Sequence, residues 1–369
     1  MDRIEVELQS GSYPVWVGSG LLQSPEGWLS ELPGGGRQLV VTDSNVAETY
    51  LQPLLQALGR LDFDCRHYVT PAGESNKSLD TWRRIIDHLV AIAAGRDARV
   101  LALGGGVVGD LAGFAAAAYM RGIEVIQLPT TLLAQVDASV GGKTGANLPA
   151  GKNLVGAFHQ PRAVVADIAT LATLPVREFR AGLAEALKYG AIRDPELFTW
   201  IEANTDSLGA GDSTALQHLV AAAVTHKAAV VAADERERGE RALLNFGHTI
   251  GHALESVTGY ERYLHGEAVA IGMVLAARIS ERLGLCAEGA ARRIDAVLAR
   301  IGLPTSLPAQ EGLAERLMTA MRYDKKNRAE RMRLVLLQSI GCARVSDDCP
   351  PELVAQILSE ATRERSNRS

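Results

Sequence analysis

The chain has 369 residues, which at roughly 150 per domain predicts two domains. A composition of 47% hydrophobic and 22% charged residues excludes a disordered, collagenous or coiled-coil chain. The net charge of −5 argues against a general nucleic-acid binder, which carries a basic excess.

The opening residues MDRIEVELQS alternate charged and apolar side chains and read as a strand, not as a signal peptide. Arg37 to Asp43 (RQLVVTD) is a short apolar run ending in an acid, followed by an amphipathic stretch from Val46 to Gly59. Cys65 to Thr70 reads as another strand, and a helix runs from Ser75–Ser78 through TWRRIIDHLVAIAAG. Arg99 to Leu103 and Ile123 to Leu128 are apolar runs too short for helices. Such alternation predicts βαβ units and a mostly parallel sheet covered on both faces. After about residue 170 helical periods dominate: 175–192, 215–233, 247–257, 266–283 and 288–301. MRLVLLQ, from Met332 to Gln338, is the one late strand. The fold class is therefore an α/β N-terminal domain, residues 1–170, plus a mainly α-helical C-terminal domain, residues 171–369. No apolar run approaches the roughly 20 residues of a membrane-spanning helix. The four cysteines form no CxxC pair, and a reducing cytoplasm is the expected location.

Eleven glycines fall between residues 104 and 156, about double the chain's average density. Gly104, Gly106 and Gly109 match GxGxxG directly after the strand RVLAL and before the helical LAGFAAAAY. There the backbone can approach a pyrophosphate seated on a helix N-terminus. The usual fingerprint lies on the first strand with an acid about twenty residues on. Here it follows roughly the third, and Glu124 comes too early, so Asp43 is the better partner for a ribose hydroxyl. This is a variant of the Rossmann scheme. A second loop holds GGKT at 141–144, but the first glycine of a phosphate-binding GxxxxGK[ST] would fall on Asp137, so that motif fails. Lys143, Lys152 and Asn153 in this flexible region suit a phosphate or carboxylate on a small substrate; otherwise it is a solvated surface loop.

Three of the eight histidines, His248, His252 and His265, lie within 18 residues, which points to Zn²⁺ or a similar ion. His248 and His252 are four apart, on one helical face, so spacing nominates both as ligands. A third ligand is not supplied by spacing. Glu185, with Lys188 on the same face, is a candidate, although read alone the two look like an exposed ion pair.

These blocks together resemble a known family. GGGVVGD, PTTLLAQVDASVGGKTGANLPAGKNLVGAFHQP, GLAEALKYG, DERERGERALLNFGHTIGHALE and LHGEAVAIGM occur in order and are similar to the 3-dehydroquinate synthase family, of the sugar-phosphate cyclases, a resemblance that runs from about residue 38 to 340. The resemblance implies a Rossmann-like N-terminal domain and metal ligands at Glu185, His248 and His265, with His252 moved to the substrate side. It implies NAD contacts at Asp43, Asn45, Glu74, Lys77, Gly105, Gly106, Val107, Asp110, Thr130, Thr131, Lys143, Lys152 and Thr173. Substrate contacts fall on Arg121, Asp137, Lys143, Lys152, Asn153, Lys188, Lys227, Arg241, Asn245, His252 and Lys325, the last being one of two adjacent lysines. Of these, Arg241, Asn245 and Lys227 are expected at the substrate carboxylate, with Lys227 in the metal-bearing half. Arg121, Lys152, Asn153 and Lys325 are expected at the phosphate.

The family reaction converts 3-deoxy-D-arabino-heptulosonate 7-phosphate to 3-dehydroquinate and phosphate. NAD⁺ oxidises a ring hydroxyl transiently, phosphate is eliminated, the ketone is reduced again, and the ring reopens and closes by an aldol step. The implied cofactors are NAD and a divalent metal, Zn²⁺ or Co²⁺. The implied partner is a small sugar phosphate, not nucleic acid or membrane, and the expected assembly is a homodimer. Two rivals remain on sequence. One is a polyol dehydrogenase or another cyclase of the same fold, which Arg241, Asn245 and the phosphate set disfavour. The other is a catalytically dead dinucleotide-binding protein, which the complete ligand set disfavours.

Overall fold

The computed structural model describes residues 1–237, 239–323 and 332–366. The chain divides into two compact units: 1–175 together with 213–236, and 176–212 together with 237–369.

The first unit is built on a seven-stranded sheet. Its strands are β1 (Asp2–Leu8), β2 (Gly11–Gly18), β3 (Gln38–Asp43), β4 (Cys65–Thr70), β5 (Arg99–Gly104), β6 (Glu124–Pro129) and, later in the chain, β9 (Ala163–Asp167). Their order across the sheet is β1-β2-β9-β6-β5-β3-β4. Only β1 and β2 pair antiparallel; the rest run parallel. The expected parallel sheet therefore carries an antiparallel edge.

The apolar runs are continuous because both faces are covered. Leu39, Val41, Val100, Ala102 and Val125 pack against Ile85 and Leu89 of the Leu79–Ala91 helix and Leu111 and Ala115 of the Gly106–Ala118 helix. Alternate residues of the same strands, Val40, Leu101, Leu103 and Ile126, point the other way, onto Trp28, Leu54 and Leu58. The strand carrying the glycine motif is fifth in chain order rather than about third, because the β1–β2 hairpin precedes the parallel set.

Two expectations are corrected here. The glycine-rich stretch after Val140 is not a loop. Lys143–Leu148 (β7) and Gly151–Phe158 (β8) form an antiparallel hairpin. And the Ser213–Ala233 helix, expected in the C-terminal half, falls in the first unit. It packs on β1 and β2 and on the Ala134–Ala138 turn. Its length and hydropathy would suit a membrane span, but its apolar residues, Leu216, Leu219, Val220, Val224 and Val231 among them, are buried in this packing.

The second unit is mostly helical, as expected of the C-terminal part, with its first helix at Val176–Arg193. Its core gathers Ile250, Leu254, Ile271, Leu275, Leu317, Leu336 and Leu358 from four helices and one strand. The strand read at 332–338 is Met332–Ser339 (β10), and it pairs antiparallel with Cys342–Cys349 (β11). β11 escaped the sequence reading because its inward residues are Ala343, Val345 and Cys349 among charged neighbours, too weak an alternation to register.

Candidate metal and nucleotide sites

In the second unit three helices bring one donor each to a common point. Glu185 lies on the Val176–Arg193 helix, His248 opens the His248–Val257 helix, and His265 opens the His265–Arg282 helix. One donor atom from each lies within 4.8 Å of the other two. The Nε2 atoms of His248 and His265 stand 3.4 and 3.5 Å from the same Glu185 oxygen, Oε1.

Close approach of the helices makes this possible. A Cβ on Gly266, next to His265, would lie 2.0 Å from the carbonyl oxygen of Ala181, one turn before Glu185. A Cβ on Gly272 would lie 2.0 Å from the carbonyl oxygen of Gly247, the residue before His248.

The far side of each imidazole is held. His248 Nδ1 is 3.1 Å from the carbonyl oxygen of Phe246, and His265 Nδ1 is 3.1 Å from Glu255 Oε2. With Nδ1–H donating to these oxygens, each Nε2 faces Glu185, the arrangement that orients metal-ligating histidines. Burial pushes the His248 ring down to about 3, so it is neutral and able to ligate. Burial opposes charge on His265 too, but hydrogen bonds to Glu185 and Glu255 outweigh it and lift the ring to about 10. A divalent cation held here would take the place of that proton and leave Nε2 its lone pair. The donor set of two imidazoles and one carboxylate fits a divalent metal with an open position.

Glu185 and Lys188 are not the exposed pair that their spacing alone predicts. Both are buried, with Lys188 Nζ 2.6 Å from Glu185 Oε2. An ion pair so far from water belongs to a site rather than a surface. His252, nominated by spacing, is exposed and stacks on the ring of His265 at 5.6 Å. Among the described residues it joins Glu255 and His265 in a second donor group, not Glu185 and His248. Sequence reading missed Glu255. Its signal was present: 248, 252 and 255 lie on one helical face, but a lone glutamate in an amphipathic helix is usually read as solvated.

Arg241 and Asn245 fall on a 3₁₀ helix, Glu240–Asn245, not an α-helix. At three residues per turn, positions four apart are rotated by roughly 120°, so the two do not share a face as they would on an α-helical turn. Arg241 is buried at 1% exposure, and Asn245 donates to Glu237 Oε1 at 3.1 Å. Lys325 lies outside the described residues.

The first unit holds the other predicted residues. Gly105 caps the Gly106–Ala118 helix, whose first turn carries no acid, so its leading amides are available to an anion. A Cβ on Gly109 would sit 2.7 Å from Gln127 Oε1 of β6, so glycine there permits the close packing of helix on strand. A Cβ on Gly105 would press on Thr131 at 3.0 Å, and Thr130 beside it is buried. Val107 follows in the first turn of the same helix. Asp43 ends β3 and its Oδ1 accepts the backbone N–H groups of Asn45 and Val46. Thr173 meets the Tyr50 hydroxyl at 2.7 Å.

Four predicted residues form one polar cluster with a fifth that was not predicted. Lys77 pairs with Asp110 and donates to Asn153 Oδ1 at 2.5 Å, and Asn147 joins Glu74 to Asn153. Burial pushes the Asp110 carboxyl up, against the pull of Lys77. Lys227, expected in the metal-bearing half, is in the first unit, its Nζ 2.5 Å from Asp137 Oδ1. The reason is the seating of its helix on β1 and β2. Arg121 has a left-handed backbone, φ 69°, directly after Met120 at φ 48°. Two successive non-glycine residues in that region are strained, as at many ligand clamps. Lys143 and Lys152 lie at the starts of the two hairpin strands, Lys143 exposed and Lys152 half-buried.

Comparison with known proteins finds two adjoining family models. The family described as 3-dehydroquinate synthase N-terminal matches residues 67–181, and 3-dehydroquinate synthase C-terminal matches residues 182–327. A 3-dehydroquinate synthase of Halorhodospira halophila is 52% identical over 96% of this chain and 98% of its own length. Among solved structures, a 2-deoxy-scyllo-inosose synthase complexed with carbaglucose-6-phosphate, NAD⁺ and Co²⁺ is similar at a TM-score of 0.89 and 26% identity, covering 98% of this chain and all of that one. A 2-epi-5-epi-valiolone synthase from Streptomyces hygroscopicus, with NAD⁺ and Zn²⁺ bound, is similar at a TM-score of 0.87 and 30% identity, covering 97% of this chain and 99% of that one.

Proposed function

The chain belongs to the 3-dehydroquinate synthase family, and from that premise we propose how its own residues divide the work. The activity is the phosphate-eliminating conversion of 3-deoxy-D-arabino-heptulosonate 7-phosphate to 3-dehydroquinate, a lyase step of the shikimate pathway, with NAD and a divalent metal as cofactors. The single observation that carries the residue assignment is the Glu185–His248–His265 cluster, with Glu185 and His248 buried and both Nδ1 atoms already engaged.

Glu185, His248 and His265 would hold the metal, and the N-terminal amides of the Gly106–Ala118 helix, with Lys77 and Asp110 nearby, would hold NAD. When bound, NAD takes up and returns a hydride, and the metal lowers the pKa of the substrate hydroxyl it holds. The chain's own groups then bind and orient. Lys188, its charge balanced by Glu185, stands ready to hydrogen-bond the substrate beside the metal position. His252, exposed next to His265, is placed to exchange protons with substrate. Asp137 and Lys227, paired in the first unit, offer an acceptor and a cation. Arg241 and Asn245 are assigned to the carboxylate, for which a planar guanidinium is suited bidentately. Arg121, Lys152 and Asn153 are assigned to the phosphate. The reading includes a homodimer in the cytoplasm.

Phosphate release from the heptulosonate phosphate should require NAD⁺ and stop on chelation, with no accumulating NADH absorbance at steady state. Stoichiometric NADH would instead make the protein a dehydrogenase. The two anionic ends can be told apart by inhibition. Arg241→Ala should weaken substrate by about tenfold or more, the value of a charge-assisted bidentate contact, and leave inhibition by inorganic phosphate nearly unchanged. Lys152→Ala should weaken both. If Arg241→Ala abolishes phosphate inhibition and keeps affinity for carboxylate-only analogues, the two ends are reversed.

A further inference from the structure

The β7–β8 hairpin places Asn147 between groups assigned to two different ligands. Its backbone N–H donates to the Lys77 carbonyl at 2.7 Å, and it bridges Ser78 in a parallel pairing. The hairpin is thereby tied to the segment that carries Glu74 and Lys77. Its side-chain Oδ1 accepts the backbone N–H of Asn153 at 2.9 Å, and its Nδ2 donates to Glu74 Oε1 at 2.8 Å. The two partners settle which way the amide points, because an N–H can only donate and a carboxylate can only accept. Asn153 itself has φ 53°, in the left-handed region, and its Oδ1 is held by Lys77. Such a backbone persists only where its surroundings hold it. Here the holding contacts are Asn147 on the main chain and Lys77 on the side chain.

We propose that Asn147 is a positioning residue, one amide that fixes both Glu74 on the cofactor side and Lys152–Asn153, at the start of β8, on the substrate side of the first unit. This rests on the reading above, in which Glu74 and Lys77 face NAD and Lys152 and Asn153 face the substrate. The role requires a group that donates at one end and accepts at the other. Aspartate has the same shape and keeps an acceptor for Asn153, but it sets a second carboxylate against Glu74. Leucine supplies neither contact.

The test uses the full-length, metal-loaded protein and the variants Asn147→Asp, Glu74→Gln, Glu74→Ala and the Asn147→Asp/Glu74→Gln pair. The readouts are NAD affinity by titration calorimetry, KM and kcat for the heptulosonate phosphate, and the thermal midpoint. Asn147→Asp should weaken NAD about tenfold, the scale of one lost hydrogen bond to a charged group, and should raise KM. The thermal midpoint should stay near the parent's. Adding Glu74→Gln, whose amide can donate to the new carboxylate, should return NAD affinity and KM to those of Glu74→Gln alone, a non-additivity that general destabilisation does not produce. Additive losses in the pair, or unchanged NAD affinity and KM in Asn147→Asp while Glu74→Ala weakens NAD, overturn the role of Asn147 alone. Unchanged NAD affinity in Glu74→Ala overturns the underlying assignment of Glu74 to the cofactor.

Discussion

Replacing His265 by alanine should remove metal and activity together, while His252→Ala should keep the metal and lose only turnover. The two rings stack on each other, so proximity does not separate them; the contacts of His265 with Glu185 and Glu255 do. His265 turns Nε2 toward Glu185 Oε1 at 3.5 Å because Glu255 takes its Nδ1. Its position is fixed further by the helix it opens. Glu267 accepts the Leu264 N–H at 2.9 Å, and Arg177 grips both oxygens of Glu267 at 2.7 Å. Outer-shell partners of metal ligands are worth 10–100-fold in affinity, so loss of one of three ligands should exceed about 100-fold. Metal content after desalting, read by elemental analysis beside phosphate release, checks this. Full metal content in His265→Ala, or equal metal loss in both variants, would remove His265 from the ligand set.

Gly266→Ala should damage the same centre without touching a ligand. The added methyl would have to occupy a point 2.0 Å from the Ala181 carbonyl oxygen, well inside van der Waals contact. The obstacle is backbone within a buried helix, which cannot turn aside as a flexible side chain can. The two helices must therefore separate, carrying His265 away from Glu185. Overpacking of cores costs about 1–3 kcal/mol and sometimes more. A clash with backbone belongs at or above the upper end, a loss of roughly 6–12 °C in the thermal midpoint for a unit of this size. Metal affinity should fall as well, since productive geometry tolerates shifts of only about 0.5 Å. Calorimetric melting with and without added Zn²⁺ checks both. A variant that melts like the parent and binds metal equally well would show that the contact at Gly266 does not hold the ligands together.

Several features were legible in the chain because they depend on neighbours close in sequence. The buried strands announced themselves as unbroken apolar runs, since a parallel sheet hides both faces of Leu39–Val41 and Val100–Leu103. The glycine motif after RVLAL and the pair His248 and His252 on one helical turn are likewise local patterns. The quoted blocks also carried the family, which the comparisons then bore out. What the chain could not show by its own spacing is which atoms meet across elements. Glu185 stands more than sixty residues before His248, and periodicity is blind at that range. Only the packing of three helices through small residues brings it into place and buries Lys188 with it. The same reason explains Lys227, whose helix reads as part of the C-terminal run yet seats itself on β1 and β2. It explains Asn147 too, an ordinary asparagine in sequence whose two amide ends acquire meaning only when Glu74 and Asn153 are folded against it. Local periodicity decided which segments would form and which faces they would bury. Tertiary packing decided which donors converge, because convergence needs helix axes close enough that only glycine leaves room.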